Sequence, residues 1–257
     1  MHLECENKIT IRNKVIGGAD LLICMPLVAT DEKALLKEAQ TALVHKPDLF
    51  EWRVDTFGQR LDRNSCRDIL SKLRGLIGNP ALIFTCRSHA EGGLAKLSAV
   101  KREGLVTAAI QSGHADIIDI ELSNNKAFIQ NILKAVKKSS LHMILSYHNF
   151  EATPDPDYII DTLFQAREMG ADIAKVAVMP QDFEDVLTLM QATLMARKNG
   201  LKIPAIAISM GALGRLTRLA GKLFGSDITF ASSETPSAPG QIPTRLLHQA
   251  IAALQQS

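Results

Sequence analysis

Short apolar runs alternate with longer amphipathic segments from about residue 21 to the end of the chain. The runs are rich in β-branched and aliphatic side chains, which favours strands, and the longer segments have the period of an amphipathic helix. The pattern predicts strands at residues 21–28, 49–54, 81–87, 117–122, 142–148, 173–179, 205–210 and 228–232. It predicts helices at residues 31–45, 62–76, 97–112, 126–138, 156–169, 182–199, 214–224 and 242–255.

Strands that alternate with helices indicate a parallel sheet with crossover helices. Eight such units in a chain of 257 residues match the size at which the sheet closes into a (β/α)8 TIM barrel. The main alternative is an open doubly wound sheet, but no GxGxxG motif follows the first strand. We therefore predict a TIM barrel, with residues 1–257 forming one domain.

The first 20 residues depart from this repeat. Residues 8–12 alternate polar and apolar side chains, and Gly17 and Gly18 precede the first barrel strand. This pattern predicts a short β-hairpin that closes the bottom of the barrel.

Composition narrows the possible partners. The net charge of +2 includes no basic block, and the 5% of aromatic residues do not interleave with basic ones, so no nucleic-acid partner is expected. Four cysteines lie far apart without a CxxC pair, which predicts buried free thiols and no metal site. The charged N-terminus has no signal-peptide core, and the longest apolar runs are far shorter than a membrane span. We expect a cytoplasmic protein without a membrane partner.

Ionisable side chains occur at the C-terminal ends of several predicted strands. Alternate side chains of a barrel strand point inward, and catalytic groups cluster at these ends. A single charged residue there is often part of a salt bridge. Burying several ions is costly unless they are paired, so the set predicts a charged pocket for an anionic or polyhydroxylated ligand. The inward positions hold Glu51, Arg53, Asp55, Thr85, Arg87, Asp119, Glu121, His148 and Lys175.

Lys175 is the most informative of these residues. It lies in the apolar segment ADIAKVAVM, and desolvation disfavours its ammonium form. A neutral amine attacks a ketone or aldehyde to give a Schiff base. The alternative is a lysine that reaches the barrel mouth and pairs with Glu121 or Asp119. Spacing alone leaves both interpretations open.

Other polar residues suit the chemistry that an imine requires. His148 titrates near neutral pH and can transfer protons, and Glu91 in the RSHAEGG segment can orient its imidazole. Arg218 can bind a carboxylate through two nitrogens, with Arg215 a less favoured candidate. The SSETPSAPGQIP segment after the eighth strand reads as a loop over the pocket, a lid that carries Ser237 and Gln241.

Seven short segments together resemble one enzyme family over nearly the whole chain. They are EWRVD (51–55), FTCRSHAEGG (84–93), DIIDIEL (116–122), SYHNF (146–150), AKVAVMPQ (174–181), TRLAG (217–221) and SAPGQI (237–242). In this order they resemble the type I 3-dehydroquinate dehydratases of the shikimate pathway. Any one segment is a weak signal, whereas the ordered set is specific.

The resemblance implies a TIM barrel that dehydrates 3-dehydroquinate to 3-dehydroshikimate without metal or organic cofactor. It implies that Lys175 forms the Schiff base, that His148 is the general acid and base, and that Glu91 pairs with His148. Many bacterial members are homodimers, so we expect a homodimer. The substrate-binding residues that we expect are Glu51, Trp52, Arg53, Arg87, Arg218, Ser237 and Gln241, although alternation alone points Trp52 towards the helices.

Two alternatives remain open. A class I aldolase would use the same imine to cleave a carbon–carbon bond, and a sugar-phosphate aldolase needs a glycine-rich phosphate cradle that only Gly211 and Gly214 suggest. A catalytically inactive barrel serving as a binding module predicts loss of polar groups from the pocket.

Overall fold

The computed structural model describes residues 4–232 and 238–255. A hairpin of two short antiparallel strands comes first, β1 (Ile9–Ile11) and β2 (Lys14–Ile16). The parallel strands that follow are β3 (Leu22–Leu27), β4 (Leu49–Arg53), β5 (Ala81–Thr85), β6 (Ile117–Glu121), β7 (His142–Asn149), β8 (Ile173–Val178), β9 (Ala205–Ser209) and β10 (Ile228–Ser232).

A helix follows each of these parallel strands, and the predicted alternation is confirmed. The helices are α1 (Glu32–Leu43), α2 (Arg63–Ile77), α3 (Ala99–Ser112), α4 (Lys126–Lys137), α5 (Pro156–Glu168), α6 (Phe183–Lys198), α7 (Arg215–Ala220) and α8 (Thr244–Gln255). A two-residue strand, β11 (Ile242–Pro243), pairs with β10 just before α8. The segment predicted as a helix at 214–224 is divided, because α7 gives way to a 3-10 turn at Gly221–Phe224. A 3-10 segment at Val54–Arg60, not predicted, carries the chain from β4 towards α2.

The curled sheet closes at a seam between β9 and β10. Neighbouring strands from β10 through β3 to β9 form parallel ladders, but no ladder joins β9 to β10 among the described residues. At that seam the backbone N–H of Asp227 donates to the carbonyl of Ala205 at 2.7 Å, and an Asp227 carboxylate oxygen accepts the Ala205 N–H at 2.9 Å. The hydroxyl of Ser226 accepts the N–H of Ala207 at 3.0 Å. One backbone hydrogen bond and two bonds to side chains therefore join β9 to the segment before β10, in place of a regular ladder. The predicted TIM-barrel fold is confirmed.

The hairpin covers the N-terminal end of the barrel, as predicted. The buried side chains of Ile9, Ile11 and Ile16 share one apolar cluster with residues that begin the barrel strands, such as Leu22 and Leu49. Ion pairs fasten the hairpin to the sheet, with Arg12 Nε 2.9 Å from Asp116 Oδ1 and Lys14 Nζ 2.6 Å from Asp48 Oδ1. The bottom of the barrel is thus filled and the opposite end is left for a site.

Local sequence signals explain where the helices start. The side chains of Asp31, Asp62, Ser98, Asn125 and Asp182 each accept a hydrogen bond from a backbone N–H three residues further on. Such N-caps satisfy N–H groups that have no partner within the helix. All four cysteines are buried and free, as expected. Over the residues that the structure describes, the search for a helix long and apolar enough to cross a membrane finds none.

Asp227 is fully buried at the seam between β9 and β10, and its replacement should destabilise the barrel. Its carboxylate pairs with Arg197 and with Lys222, whose Nζ lies 2.7 Å away. Asp227→Ala leaves two buried cations without their anion, so we expect a loss of about 3–5 kcal/mol in the free energy of unfolding. Urea denaturation followed by circular dichroism measures it. The exposed Asp20→Ala should stay within about 0.5 kcal/mol of the parent chain, and equal values for the two variants would contradict the seam's role.

Candidate active site

A cavity opens at the C-terminal ends of the barrel strands, and together with its open mouth it holds about 520 Å³ of empty space. Charged groups come mainly from β4, β7, β8 and the loop after β5, and apolar groups come from β9 and β10. Its walls therefore have a polar half and an apolar half. The lining residues are Pro26, Glu51, Arg53, Arg87, Glu91, His148, Phe150, Lys175, Ala177, Ile208, Met210, Arg218, Phe230, Ala238 and Gln241.

Lys175 projects from the middle of β8 into this cavity. The side chain is only 5% exposed, and its Nζ donates to Asp119 Oδ2 at 2.9 Å. Glu51 Oε1 lies 3.8 Å from the same nitrogen, and the ring of Phe230 faces it with its centroid 4.6 Å away. The pairing with Asp119 that spacing left open is present, and the amine nevertheless lines the cavity.

Arg87 forms the centre of a buried ionic network behind the lysine. Its Nη2 donates to Asp119 at 2.9 Å, and its Nη1 donates to Glu121 at 3.0 Å and to Ser146 Oγ at 2.8 Å. The hydroxyl of Ser146 donates in turn to the second oxygen of Asp119 at 2.6 Å, and Arg102 pairs with the second oxygen of Glu121. The carboxylates of Asp119 and Glu121 outweigh the effect of burial and raise the pKa of Arg87 above its ordinary value. Its guanidinium is thus fixed in place and permanently charged.

Arg53, the last residue of β4, is held in the cavity wall by the carboxylate of Asp55, two residues further along the chain. Its Nε and Nη2 donate to the two oxygens of Asp55 at 2.9 and 3.0 Å, and Nη2 also donates to the carbonyl of Gly92 at 3.1 Å. Burial acts to raise the pKa of Asp55, but the bonds from Arg53 and from backbone N–H groups lower it. These hydrogen bonds therefore fix the orientation of the Arg53 guanidinium in the ligand-free protein.

His148, on the strand next to that of Lys175, forms a second pair with Glu91. Glu91 Oε2 lies 3.1 Å from His148 Nδ1 and accepts the backbone N–H of the same residue at 2.8 Å. Ser123 Oγ donates to the other oxygen of Glu91. Burial lowers the pKa of His148 well below its ordinary value of 6.5, and the positive charges of Arg87 and Lys175 act in the same direction. The free protein therefore holds a neutral imidazole whose Nε2 is left to act on a ligand.

The two glycines that follow Glu91 are required by the path of the loop. A Cβ at Gly93 would lie 2.3 Å from the carbonyl oxygen of Arg87, and Gly92 has a φ of 83°, which favours glycine. Gly92 also packs on the ring of Phe150. These constraints explain the glycine pair of RSHAEGG, because the tight turn that it forms allows Glu91 to face His148.

Arg218 differs from the other cations of the site because it has no carboxylate partner among residues 4–232 and 238–255. It is 2% exposed, and its two terminal nitrogens donate to the carbonyls of Phe230 and Pro239 at 3.1 and 3.0 Å. Its Nε is buried without a hydrogen-bond partner, and burial lowers the pKa of the guanidinium to about 10. A buried guanidinium of this kind is poised to accept an anion.

The structure brings together most residues that the sequence singled out. Lys175, His148, Glu91, Glu51, Arg53, Arg87, Arg218 and Gln241 all line one cavity. Ser237 lies outside the described residues. Arg215 is exposed at the start of α7 and does not line the cavity.

The prediction that Trp52 binds substrate is corrected. Its indole is fully buried between the sheet and the helices, edge-on to Phe57 and Phe84 at 5.5 and 5.6 Å between ring centroids. Alternation along β4 sends Glu51 inward and the next residue outward, so Trp52 cannot touch a ligand in the barrel. Its role is to pack the outer core.

Sequence reasoning missed the apolar half of the cavity. Ile208 and Phe230 follow from the inward alternation of β9 and β10, but aliphatic and aromatic side chains carry no chemical signal that separates a pocket wall from a core. Phe150 lies just beyond β7, where no periodicity remains to place it. No grouping of His, Cys, Asp and Glu suited to a metal ion was found in the part of the chain that the structure describes.

The fold and site define a TIM-barrel enzyme with a charged pocket at the C-terminal end of its strands, and comparisons with known proteins define it further. Residues 23–257 match the family described as type I 3-dehydroquinase. The chain is 42% identical over 244 residues to the 3-dehydroquinate dehydratase of Aromatoleum aromaticum, covering 95% of this chain and 94% of that one.

Solved structures agree. The 3-dehydroquinate dehydratase of Geobacillus kaustophilus superposes with a TM-score of 0.95 at 40% identity, covering 99% of this chain and 98% of that one. The type I enzyme of Clostridium difficile, solved with covalently modified comenic acid, gives 0.93 at 34% identity, with coverage of 97% and 98%. The chain therefore belongs to the type I 3-dehydroquinase family, and it is an enzyme of the hydro-lyase class.

The lowered pKa of His148 gives a direct prediction. An ordinary histidine is about half charged at pH 6.5, whereas His148 should remain mostly neutral at that pH because protonation would place a cation among Arg87 and Lys175 in a buried site. NMR titration of the ligand-free protein, with the His148 signal assigned by its loss in His148→Asn, measures the midpoint. A midpoint at or above 6.5 would contradict the electrostatics described here.

Proposed function

We propose that the chain dehydrates 3-dehydroquinate to 3-dehydroshikimate, in the shikimate pathway, through an imine on Lys175. The observation that carries the proposal is that the Lys175 amine and the neutral His148 imidazole line the same cavity, whose bottom is closed by a fixed ionic network. Membership of the type I family supports the overall reaction, and the covalently modified ligand in the Clostridium difficile relative supports a covalent route.

The reaction begins when neutral His148 takes a proton from the Lys175 ammonium, and the amine so formed attacks the C3 ketone. Loss of one water from the carbinolamine gives the protonated imine, and His148 transfers the protons of this step. His148 then removes a proton from C2, and the electron pair of that C–H bond moves towards the iminium to form an enamine. The enamine returns its electrons as the C1 hydroxyl leaves, protonated by His148 to water. Hydrolysis of the imine by a second water releases product and restores the amine.

Each proton transfer suits the state in which His148 is held. A neutral imidazole is the required base for the C2 proton, and Glu91 holds Nδ1 so that Nε2 faces the ligand. A charged imidazolium, formed during the reaction, is stabilised by the Glu91 carboxylate. Burial acts on this carboxylate too and raises the pKa of Glu91, while the bond from Ser123 opposes that rise.

The remaining polar groups orient the ring. Arg218 binds the substrate carboxylate. This guanidinium has no carboxylate partner among the described residues, and the substrate supplies one. Glu51, Arg53 and Arg87 face the hydroxyl groups, and Gln241 approaches from the loop that precedes α8. Ser237 is proposed to contact substrate on the resemblance alone.

Neither alternative reading is supported by an observation. The two glycines considered for a phosphate cradle, Gly211 and Gly214, are both packed against backbone. A Cβ at Gly214 would lie 2.0 Å from the Ser209 carbonyl oxygen, and Gly240 packs so closely on Gly211 that its Cβ would lie 1.9 Å from the Gly211 carbonyl oxygen. Every polar residue that the resemblance implies for the site and that lies within the described residues also lines the pocket, whereas an inactive binding module would have lost some of them. We also propose that the protein is a homodimer, on the family resemblance, and that it is cytoplasmic, on the free cysteines and the charged N-terminus described above.

Trapping the imine tests the central step. Incubation with 3-dehydroquinate and borohydride should reduce the iminium to a stable secondary amine, and peptide mapping should locate the added mass on Lys175. Lys175→Arg keeps a positive charge but cannot form an imine, so kcat should fall by at least about 10³-fold and the adduct should disappear. An adduct on another lysine, or full activity in this variant, would refute the mechanism.

Arg218 provides an independent test of substrate orientation. Arg218→Gln removes a charge-assisted contact with the substrate carboxylate, and we expect kcat/KM to fall by about 10–150-fold. Absorbance of the conjugated product follows the rate. Arg215→Gln, three residues earlier on the same helix and exposed, is the matched control and should leave kcat/KM within about twofold. Equal losses in both variants would mean that general charge, not a specific contact, is responsible.

A further inference from the structure

Two carboxylates face the nitrogen of Lys175, but they differ in position. Asp119 Oδ2 lies 2.9 Å from Nζ and Glu51 Oε1 lies 3.8 Å away. Glu51 lines the cavity, where a ligand contacts it, and its Oε1 accepts a hydrogen bond from Thr85 at 2.8 Å. Asp119 is fully buried and stands behind the lysine, outside the cavity wall. It touches the reacting nitrogen without being placed to touch the ligand.

The carboxylate of Asp119 is fixed at both oxygens. Oδ1 accepts from Ser146 at 2.6 Å, and Oδ2 accepts from Arg87 at 2.9 Å as well as from Lys175. Burial acts to raise the pKa of Asp119, but the positive charges of Arg87 and Lys175 outweigh burial and lower it. The group is therefore ionised, and it cannot rotate without breaking several hydrogen bonds.

We propose that Asp119 is the positioning residue and charge partner of Lys175 throughout the reaction. It aims the amine at the cavity, and after the imine has formed it accepts the N–H of the iminium. This inference rests on the imine mechanism proposed above. When amine and ketone condense with loss of one water, the nitrogen keeps a hydrogen only if the imine is protonated. An imine nitrogen is a weaker base than its parent amine, so a nearby anion is needed to maintain the cation that withdraws electrons from C2.

Other ionisable groups around this nitrogen do not replace Asp119. Arg87, from the loop after β5, opposes a cation there, but it is bonded to Asp119 and Glu121. His148 of β7 is neutral in the free protein because burial lowers its pKa. The Cys24 thiol of β3 is neutral as well, because burial raises its pKa well above 9.0. Together with the more distant Glu51 of β4, these groups leave Asp119 as the nearest anion in the described structure.

Asp119→Asn tests the charge with little change in shape, because an amide oxygen can still accept from Lys175 and Arg87. We expect kcat to fall by about 10–100-fold, as for loss of a hydrogen bond to a charged group. KM should stay within about threefold, because Asp119 does not line the cavity. The alkaline limb of the kcat–pH profile should move to lower pH, and less adduct should be trapped by borohydride at saturating substrate.

Glu121→Gln is the matched control. Glu121 lies two residues further along β6, is equally buried and also bonds Arg87, but it does not contact Lys175. If Asp119 acted merely by supporting Arg87, this control would reproduce the shifted alkaline limb, and that result would overturn the proposal. Thermal unfolding of both variants verifies that they fold. Should Asp119→Asn fail to fold, Asp119→Ser, which is smaller and also neutral, replaces it with the same expected readouts.

The outcomes separate the two levels of inference. No adduct on Lys175 in the parent enzyme overturns the imine mechanism and this proposal with it. An adduct in the parent enzyme, together with an unmoved alkaline limb and an undiminished kcat in Asp119→Asn, overturns the role of Asp119 and leaves the mechanism intact. A lowered kcat with a shifted limb and unchanged KM supports both.

Discussion

Charge compensation at the buried end of the strands is the constraint on which the site depends. Lys175, Arg87 and Arg102 are buried cations, and a buried ion costs several kcal/mol unless it is paired. Asp119 and Glu121, from alternate positions of one strand, supply anions that bridge all three cations. Because each carboxylate bridges two cations, the lysine is held in a polar cluster in which every buried charge has a partner of opposite sign.

Arg218 is the exception, because it is a buried cation without a carboxylate partner among the described residues. We relate this lack of a partner to function. The hydrogen bonds of Arg218 go to backbone carbonyls, and burial lowers its pKa to about 10. Burying the Arg218 charge without an anion costs free energy. The substrate carboxylate that we propose would pair with this charge, and relief of that cost would favour binding. The roles that we propose for the two cations therefore match opposite arrangements: Lys175 has a carboxylate partner in the protein, whereas Arg218 has none among the described residues.

The sequence predicted the barrel and most of the polar wall because strand alternation is a strict geometric rule. Glu51, Arg87, His148 and Lys175 all lie inside as their strand positions require. Motif resemblance was less exact, because it assigned Trp52 to substrate although alternation sends the indole to the helices. Contacts between distant segments, such as the hydrogen bonds from Ser123 to Glu91 and from Lys175 to Asp119, depend on three-dimensional distances that periodicity does not encode.

Ion pairs also stabilise parts of the barrel outside the site, and comparing them with the site separates stability from function. Asp227 joins Arg197 and Lys222 at the seam, and Asp116 joins Arg12 and Arg74 at the bottom. None of these residues lines the cavity at the C-terminal ends of the strands. At the top of the barrel, the cluster around Asp119 borders this cavity, and Lys175 is the member of the cluster for which we propose a covalent bond to the ligand. Lys175 differs from Lys222 in this access to the cavity and not in burial, since both are 5% exposed.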